Sequence, residues 1–327
     1  MTVLDLPVID FGAYCDPNST AEQRQAVDQA IDKACRHLGI FFLSNHGIPE
    51  ELSDQMRACI RQFFQLPLEE KLKNDVPTSN LRGYMNASND NTPASRPYYE
   101  TLGLYPPVNC FSNGLSPQID PTTPKAKLPT TPDALGGQNS WPSDEFQAKT
   151  EEYLRHILQL KNRVFTSIAA SLGLSASSRK RFDDTVFALS LNGYQGITEA
   201  DISKSGANLP EHQDPGQVDS ESISLQVQDR DGEWYDVQPI ADAFVVNVGV
   251  ILNRWTGDQY CAPLHRVIHR SENPRISAAI FTDPSFDTSI APLPELAPVG
   301  KKLADQKEET FGEFLLDWVG EMTESKY

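Results

Sequence analysis

Three residues in the second half of the sequence are of types that bind metal ions. His212-Gln213-Asp214 is followed 53 residues later by His265. Because alternate residues of a strand lie on the same side, a strand would present the His212 imidazole and the Asp214 carboxylate to one point. A histidine on a neighbouring strand would complete a face of three ligands. The spacing therefore predicts a metal site formed by His212, Asp214 and His265.

Two histidines and one carboxylate leave other coordination positions of a metal open. This is the arrangement of non-haem Fe(II) oxygenases, in which oxygen and a co-substrate must both reach the iron. The pattern is short and also arises by chance, and surface or core histidines are then the alternative. The residues that accompany the pattern decide between the two interpretations.

A second pair of polar residues, Arg275 and Ser277, lies inside an apolar strand ten residues after His265. A guanidinium that points into a barrel needs an anion, because an unpaired buried charge is costly. Arginine binds carboxylates with two hydrogen bonds, and a serine hydroxyl adds a donor. The pair therefore predicts a site for an organic acid that also reaches the metal. A surface salt bridge is the alternative, and the apolar neighbours of Arg275 favour the internal role.

Short β-rich runs, divided by turn residues, must position these side chains. They are 186–194, which ends in Asn192-Gly193-Tyr194, then 222–228, 234–237, 244–248, 266–269 and 276–282. Many short strands with frequent turns are typical of a barrel or a sandwich.

The N-terminal half mixes strands and helices. The sequence predicts strands at 6–11 and 39–45 and helices at 20–37, 49–64 and 144–174. Apolar residues at helical spacing between 311 and 322 predict a C-terminal helix that packs on the core. Eleven of the 24 prolines lie between residues 75 and 144, which excludes long regular elements there. That segment is either a surface connection or a loop that folds over a site.

Composition excludes several classes of partner. The 327 residues carry a net charge of −17, which argues against nucleic acid and anionic membranes as partners. No run of 18 apolar residues and no signal-peptide pattern is present in the sequence. Five scattered cysteines without a CxxC motif predict reduced thiols and a cytoplasmic location.

The order of motifs along the chain resembles the isopenicillin N synthase-like family of non-haem Fe(II)/2-oxoglutarate-dependent dioxygenases. The resemblance runs nearly end to end, and specialised-metabolism members such as kainoid synthases are similar. The motifs that carry it are Leu6-Pro7-Val8-Ile9-Asp10-Phe11, Gly39-Ile40-Phe41-Phe42, Asn45-His46-Gly47-Ile48, Glu70-Lys71, Arg82-Gly83-Tyr84, Asn139-Ser140-Trp141-Pro142, Phe244-Val245-Val246-Asn247-Val248-Gly249 and Leu264-His265-Arg266-Val267.

The resemblance implies an α+β fold with a double-stranded β-helix core, also called a jelly roll, and flanking helices. We expect one catalytic domain over residues 1–327. Within it, residues 1–174 give helical and strand support with the Pro-rich loop 75–144, residues 175–300 form the barrel core, and residues 301–327 form the C-terminal helix.

The resemblance also implies cofactors and roles. His212, Asp214 and His265 match the iron ligands of the family. Four more residues match those at 2-oxoglutarate, with Arg275 and Ser277 on its distal carboxylate and Tyr194 and Asn192 beside it. The implied reaction uses O2 and 2-oxoglutarate, forms an Fe(IV)-oxo species, releases succinate and CO2, and can use ascorbate as a reductant.

The substrate side is less well marked in the sequence. Arg96, Tyr98 and Tyr99 stand where relatives line the substrate pocket, and Phe281 is a further candidate, with packing as the alternative for the aromatic residues. A polar segment after Gly216 departs from the family pattern. Its Asp219 or Glu221 would meet a basic or hydroxyl-bearing substrate, unless the segment is only a solvated turn.

We expect a small-molecule substrate that is hydroxylated, desaturated or oxidatively cyclised. The sequence leaves a monomer and a homo-oligomer equally open. Two other functions compete with this one: an Fe(II) oxidase of the same fold that does not use 2-oxoglutarate, and a non-catalytic binding barrel. Outside the proposed site, we expect His46 to be structural and His269 to lie at the surface, with a position behind the metal ligands as the alternative for His269.

Overall fold

A computed structural model gives the structure of most of the chain. It describes residues 3–75, 82–86, 99–105, 139–183, 185–196, 209–212, 223–297, 309–315 and 317. For residues 209–212 it gives the strand and not the side chains. Most of the Pro-rich segment and the residues directly after His212 lie outside these ranges.

The described part of the chain contains the three helices that the sequence predicts before residue 180, together with shorter ones. They are α1 (Gly12–Cys15), α2 (Ala21–His37), α3 (Glu50–Gln65), α4 (Leu68–Lys71), α5 (Asp144–Ser171), α6 (Ala176–Asp183) and α7 (Val250–Trp255). The predicted helices are α2, α3 and α5, and the short helices were not predicted. A C-terminal helix covers 311–315, and its Phe311 is buried in the core as predicted.

Side-chain caps explain where α2 and α5 begin. The Thr20 hydroxyl accepts the Gln23 backbone N–H at 3.2 Å, and the Gln23 side chain accepts the Thr20 backbone N–H at 2.7 Å. The Ser143 hydroxyl accepts the Phe146 backbone N–H at 3.1 Å. Each cap satisfies an N–H group that the first helical turn leaves without a partner.

Twelve strands in the described part form three sheets. They are β1 (Val3–Leu4), β2 (Val8–Asp10), β3 (Ile40–Ser44), β4 (Gly83–Asn86), β5 (Tyr99–Leu104), β6 (Thr185–Tyr194), β7 (Leu209–His212), β8 (Leu225–Gln228), β9 (Trp234–Val237), β10 (Phe244–Asn247), β11 (His265–Val267) and β12 (Arg275–Pro284). The strand orders are β1-β9-β8-β11-β7, β10-β3-β2 and β12-β6-β5-β4.

Strands from the N-terminal half hydrogen-bond directly to strands of the C-terminal half. β1 pairs with β9, β3 pairs with β10, and β5 pairs with β6. One of these strands, β5, and its neighbour β4 come from the Pro-rich segment. They are short, as the prolines require, and the composition gave no signal for them.

Two apolar layers hold the sheets in place. One lies between the five-stranded and three-stranded sheets and includes Val227, Val237, Ile40 and Phe42. The larger layer lies between the sheets and the helices and includes residues of α2, α3 and α5. The sheets therefore enclose an interior, and the helices cover their outer side.

A buried arginine ties the two ends of the Pro-rich segment together. Arg82 is fully buried, and its Nη1 donates to the Asn139 side-chain oxygen at 2.6 Å and to the Tyr105 carbonyl at 3.0 Å. The Asn139 amide donates to the same carbonyl at 2.7 Å. These bonds fix the end of β5 beside the residues that precede α5.

None of the described helices combines the length and the apolar character that crossing a bilayer would require.

Lys161 is a buried amine on α5. Its side chain is 8% exposed, and Nζ donates to the Thr185 hydroxyl at 2.6 Å. Burial lowers the pKa of Lys161 to about 8, which the charge of Asp183 partly offsets. Between that value and its ordinary pKa, the unfolded chain holds a proton that the folded chain releases, so stability rises with pH over this range.

We expect Lys161→Met to raise the free energy of unfolding at pH 7 by about 1–3 kcal/mol. The variant removes the cost of burying a charge, which outweighs the loss of one hydrogen bond worth about 1 kcal/mol. It should also flatten the rise in stability between pH 8 and pH 10. Urea unfolding at pH 7 and pH 9.5 measures both effects, with exposed Lys180→Met as the control. A less stable variant with an unchanged pH dependence would contradict this account.

Candidate active site

The two histidines of the predicted metal site lie opposite each other in the five-stranded sheet. β11 lies between β7 and β8, and its register places His265 opposite His212 on one side and Val227 on the other. Directly opposite residues of antiparallel strands share one face of the sheet. Val227 is fully buried between the sheets, so positions 212 and 265 lie on the interior face.

The His265 ring is oriented by a backbone carbonyl. The ring is 2% exposed, and its Nδ1 lies 3.2 Å from the Pro263 carbonyl oxygen. A carbonyl only accepts, so this bond places the proton on Nδ1 and the lone pair on Nε2. A histidine held in this way presents Nε2 as a metal ligand, and the carbonyl keeps the ring in place.

The ten-residue pairing of β12 with β6 brings the predicted anion-binding residues together. Arg275 lies opposite Tyr194, and Ser277 lies opposite Asn192. Arg275 is 5% exposed, and its guanidinium carbon lies 4.6 Å from the centre of the Tyr194 ring. A cation at this distance from an aromatic face is attracted by the ring. The charge is thus held inside the protein against tyrosine.

β5 pairs with β6 and places two further residues opposite Tyr194 and Asn192. Tyr99 lies opposite Tyr194, with ring centres 5.4 Å apart, and Thr101 lies opposite Asn192. Of the residues predicted to contact substrate, Tyr99 therefore lies beside the predicted co-substrate residues. Phe281, six residues after Arg275, occurs on the same face of β12 by strand alternation.

Asn192 is the centre of a hydrogen-bond network on this face. Its side-chain oxygen accepts from the Tyr99 hydroxyl at 3.0 Å and from the Ser190 hydroxyl at 2.9 Å. Its amide nitrogen donates to the Ser277 hydroxyl at 3.3 Å. Ser190 also pairs with the Thr101 hydroxyl at 2.9 Å. The network sets the rotamers of residues from three strands at once.

Gly193 separates the two functional residues of β6 and lies on the opposite face. A Cβ atom at this position would lie 2.6 Å from Cγ of Phe64 in α3. Phe64 therefore packs directly on β6 at Gly193, while the neighbouring residues Asn192 and Tyr194 lie on the interior face. The Asn-Gly-Tyr order has a structural reason: the outer face needs a residue without a side chain.

The expectation that His269 lies at the surface is wrong. His269 is 1% exposed, and its ring centre lies 6.3 Å from that of Tyr194. Its Nε2 donates to the Asn273 carbonyl at 2.8 Å, and its Nδ1 lies 3.1 Å from the Ser224 hydroxyl. Burial lowers the pKa of His269, which favours the neutral ring. The position two residues after β11 was the available signal, since it continues the strand alternation from His265.

His46 is buried and packs on Phe244 with ring centres 4.2 Å apart. Its Nδ1 accepts the Ile48 backbone N–H at 3.2 Å, which is the local bonding expected of a structural histidine.

A buried ion pair supports β5 from its other face, and the sequence did not reveal it. Lys71 Nζ lies 2.6 Å from a Glu100 carboxylate oxygen, and the two side chains are 7% and 5% exposed. The second carboxylate oxygen accepts from the Gln195 amide at 3.2 Å. Glu100 is next to Tyr99 and Gln195 is next to Tyr194, so the pair fixes the strand ends that carry both tyrosines.

Several predicted site residues lie outside the described part of the chain. They are Asp214, Arg96, Tyr98, Asp219 and Glu221, together with the side chain of His212. Within the described residues no three His, Cys, Asp or Glu side chains converge on a metal position.

The donors that are described fit Fe(II) and 2-oxoglutarate. His265 offers an Nε2 lone pair in the interior, and Arg275 and Ser277 offer a buried cation and a hydroxyl. The ring contact between Tyr194 and His269 brings the two sheets together between these groups. A neutral imidazole suits divalent iron, and a buried guanidinium suits a carboxylate.

Facing sheets with paired histidines and an internal arginine define a class, the non-haem iron oxygenases with a jelly-roll core. Comparison with known families gives the same result. Residues 6–144 match the N-terminal region of the non-haem dioxygenases in morphine synthesis, and residues 205–284 match the 2OG-Fe(II) oxygenase superfamily. The chain belongs to the family of non-haem Fe(II)/2-oxoglutarate-dependent oxygenases.

Curated relatives are similar over nearly the whole chain. A homoarginine-6-hydroxylase of Arabidopsis thaliana is 31% identical, and the match covers 88% of this chain and 87% of the relative. The 2-oxoglutarate-dependent dioxygenase citB of Monascus ruber is also 31% identical, with 95% and 94% covered.

Solved structures show the same fold. A 2OG-Fe(II) oxygenase family protein from Caulobacter crescentus superposes with a TM-score of 0.76 at 20% identity, covering 98% of this chain and all of its own. JOX2 in complex with 2OG, Fe and JA has a TM-score of 0.72 at 25% identity, covering 96% and 85%. The predicted family, the α+β jelly-roll fold, the enzyme class and the cofactors Fe(II), 2-oxoglutarate and O2 are confirmed.

We expect Lys71→Met to lower the free energy of unfolding by about 3–5 kcal/mol, because it leaves the Glu100 carboxylate buried without its cation. Urea unfolding measures the loss.

Lys73→Met is the matched control for this variant. Lys73 forms an ion pair with Glu70 at the same 2.6 Å distance, but the side chains are 66% and 42% exposed. Its removal should cost at most about 1 kcal/mol. Equal losses in the two variants would show that burial does not distinguish the pairs.

Proposed function

We propose that the chain oxidises a small molecule of specialised metabolism at an iron centre with seven assigned residues. Fe(II) is bound by His212, Asp214 and His265. 2-Oxoglutarate is held by Arg275 and Ser277 at its distal carboxylate, with Tyr194 and Asn192 beside it.

The observation that carries this proposal is the register of two strand pairs. His265 lies opposite His212, and Arg275 and Ser277 lie opposite Tyr194 and Asn192. Each pair puts residues of distant sequence positions on the interior face. The two registers are independent of each other, and each brings residues of the proposed mechanism to the interior face. Together they support the assignment.

The protein's own part in the reaction is to bind, orient and exclude water. The Pro263 carbonyl holds the proton of His265 on Nδ1, which directs Nε2 toward the ion. Arg275 provides a charge that is already buried, so the co-substrate carboxylate meets a desolvated partner. The bound iron and 2-oxoglutarate together supply O2 activation, with release of succinate and CO2, for oxidation of a substrate C–H bond.

Tyr99 and Phe281 are the described candidates for substrate contact. Tyr99 has a hydroxyl that reaches Asn192 and a ring beside Tyr194, so it forms one wall next to the co-substrate site. Arg96 and Tyr98 precede Tyr99 in sequence and remain candidates on that ground.

Asp219 and Glu221 are proposed to meet a basic or hydroxyl-bearing group of the substrate. They follow the proposed ligand Asp214 by five and seven residues. Four relatives at 28–31% identity are named homoarginine-6-hydroxylases, and homoarginine carries a basic side chain. Homoarginine and other basic amino acids are therefore the first substrates to test, with succinate release as the assay.

A cytoplasmic location is part of the proposal. Cys15, Cys35, Cys59 and Cys261 carry free thiols in the described part of the chain, which is usual for a reducing compartment.

Two variants test the assigned roles in an anaerobic titration with Fe(II) and 2-oxoglutarate. The chelate gives a weak visible charge-transfer band, which we expect in the unmodified protein. His265→Ala should abolish the band by removing a ligand. Arg275→Ala should keep iron binding but weaken 2-oxoglutarate binding by at least about 30-fold, because a buried charge pair is lost.

Two substitutions outside the site serve as controls for this titration. His37→Ala and Arg270→Ala each remove a residue of the same type from an exposed position. Both should leave the band and the affinity for 2-oxoglutarate unchanged. Bound iron without a band in the unmodified protein would favour the oxidase that does not use 2-oxoglutarate. Unchanged affinity in Arg275→Ala would refute its assigned role.

Replacing both Asp219 and Glu221 by Ala should raise KM for a basic substrate by tenfold or more and leave KM for 2-oxoglutarate unchanged. The physical reason is the loss of a charge pair with the substrate, worth about 1–2 kcal/mol. Succinate release at varied substrate concentration measures both constants. An unchanged substrate KM would show that the segment is only a solvated turn.

A further inference from the structure

A cavity of about 120 Å³ lies on the outer side of the sheets, away from the proposed iron site. It is bounded by α5, α6, α7 and the outer faces of β10 and β12. Ile280 and Thr282 of β12 line it, whereas the site residues Arg275 and Ser277 alternate to the interior face. The cavity is thus separated from the iron site by the sheet itself.

The wall of this cavity is mostly aliphatic, and one part of it is aromatic. Phe165 and Phe182 contact each other edge to face with centres 5.4 Å apart, and Phe182 contacts Trp255 in the same way at 5.1 Å. All three line the cavity. An engineered protein cavity of about 150 Å³ holds benzene, so a volume of about 120 Å³ is on the scale of a single six-membered ring.

One charged side chain lines this apolar space. Lys161 is 92% buried, since its exposed fraction is 8%, and its Nζ donates to Thr185 Oγ1 at 2.6 Å. Lys161 and Thr185 both line the cavity. The ammonium has three N–H groups, and the Thr185 hydroxyl is its hydrogen-bond partner among the described residues. Its Nζ also lies 5.5 Å from the centre of the Phe165 ring, and the charge of Asp183 acts on it without a direct ion pair. Burial lowers its pKa to about 8, so it is still protonated at pH 7.

At this buried position the charge of Lys161 makes the fold less stable than an apolar residue of the same length would. A buried cation beside a hydroxyl, at the end of an aromatic cavity, matches a carboxylate that carries one small ring. The ammonium and the Thr185 O–H are then both donors to the carboxylate oxygens, and the ring contacts Phe165 and Phe182.

We propose that this cavity is a second small-molecule site, which binds an aromatic monocarboxylic acid of about the size of benzoate through Lys161 and Thr185. The site is independent of the iron centre. It contacts the outer side of β12 and the first residue of β6, the two strands whose inner sides carry the proposed co-substrate residues.

The test is calorimetric titration of the full chain with sodium benzoate. The protein is kept anaerobic and saturated with Fe(II) and 2-oxoglutarate, so that the carboxylate position at Arg275 is filled. We expect saturable binding of one benzoate per chain. Benzamide, which has the same shape without the charge, should bind at least tenfold more weakly.

Variants test whether benzoate binds in this cavity. Lys161→Met should weaken benzoate binding at least tenfold, whereas Lys180→Met, at an exposed position of α6, should have no effect. Val164→Phe, which fills the cavity from α5, should abolish binding. The comparison of benzoate with benzamide needs no variant and decides the matter even if a substitution impairs folding.

Three results would overturn the proposal. They are the absence of saturable benzoate binding, equal binding of benzoate and benzamide, and benzoate binding that occurs only in a parallel titration without 2-oxoglutarate. The last result would place the benzoate at Arg275 and not in this cavity.

Discussion

The ten-residue antiparallel pairing of β12 with β6 is the constraint on which the site depends. Side chains alternate along a strand, so a slip of one residue would exchange Arg275 for Ile276 on the interior face. The apolar outer face, packed on the helices, makes such a slip costly. Packing on one side of the sheet thus determines which residues do chemistry on the other.

Buried charges in this protein have different kinds of partner, and the partner indicates the role. Lys71 has a carboxylate at 2.6 Å and a structural task. Arg275 lies over the Tyr194 ring in the interior and is proposed to bind the distal carboxylate of 2-oxoglutarate. Lys161 has a neutral hydroxyl and lines a cavity. The hydrogen-bond partner of Lys161 among the described residues is neutral, and a bound anion would lower the cost of burying this cation.

The sequence was sufficient for the family, the fold class, the three long helices and most strands of the jelly roll. Those elements have strong local patterns: alternation in strands such as β12, and caps such as Thr20 and Ser143 in helices. It did not predict β4 and β5, because they lie in a Pro-rich segment and are stabilised by pairing with β6 and not by local propensity. The ion pair of Lys71 with Glu100 was hidden for the same reason, since 29 residues separate its members.

The pairing of His265 with His212 is the opposite case, in which the sequence identifies the residues but not their relative position. Spacing alone gave the residues, but only the register of β11 against β7 places them side by side. The surface position expected for His269 was wrong because the strand alternation continues past the end of β11.

β5 lies between the proposed co-substrate residues and the proposed substrate side. One of its faces is fixed by the Lys71–Glu100 pair, and the other presents Tyr99 to Asn192 and Tyr194. The Arg82 clamp fixes the far end of the same strand. With the strand held at both ends, the residues before Tyr99 and after Tyr105 can differ in length and composition without moving the co-substrate residues. A fold of this kind can therefore change substrate while its iron chemistry stays in place.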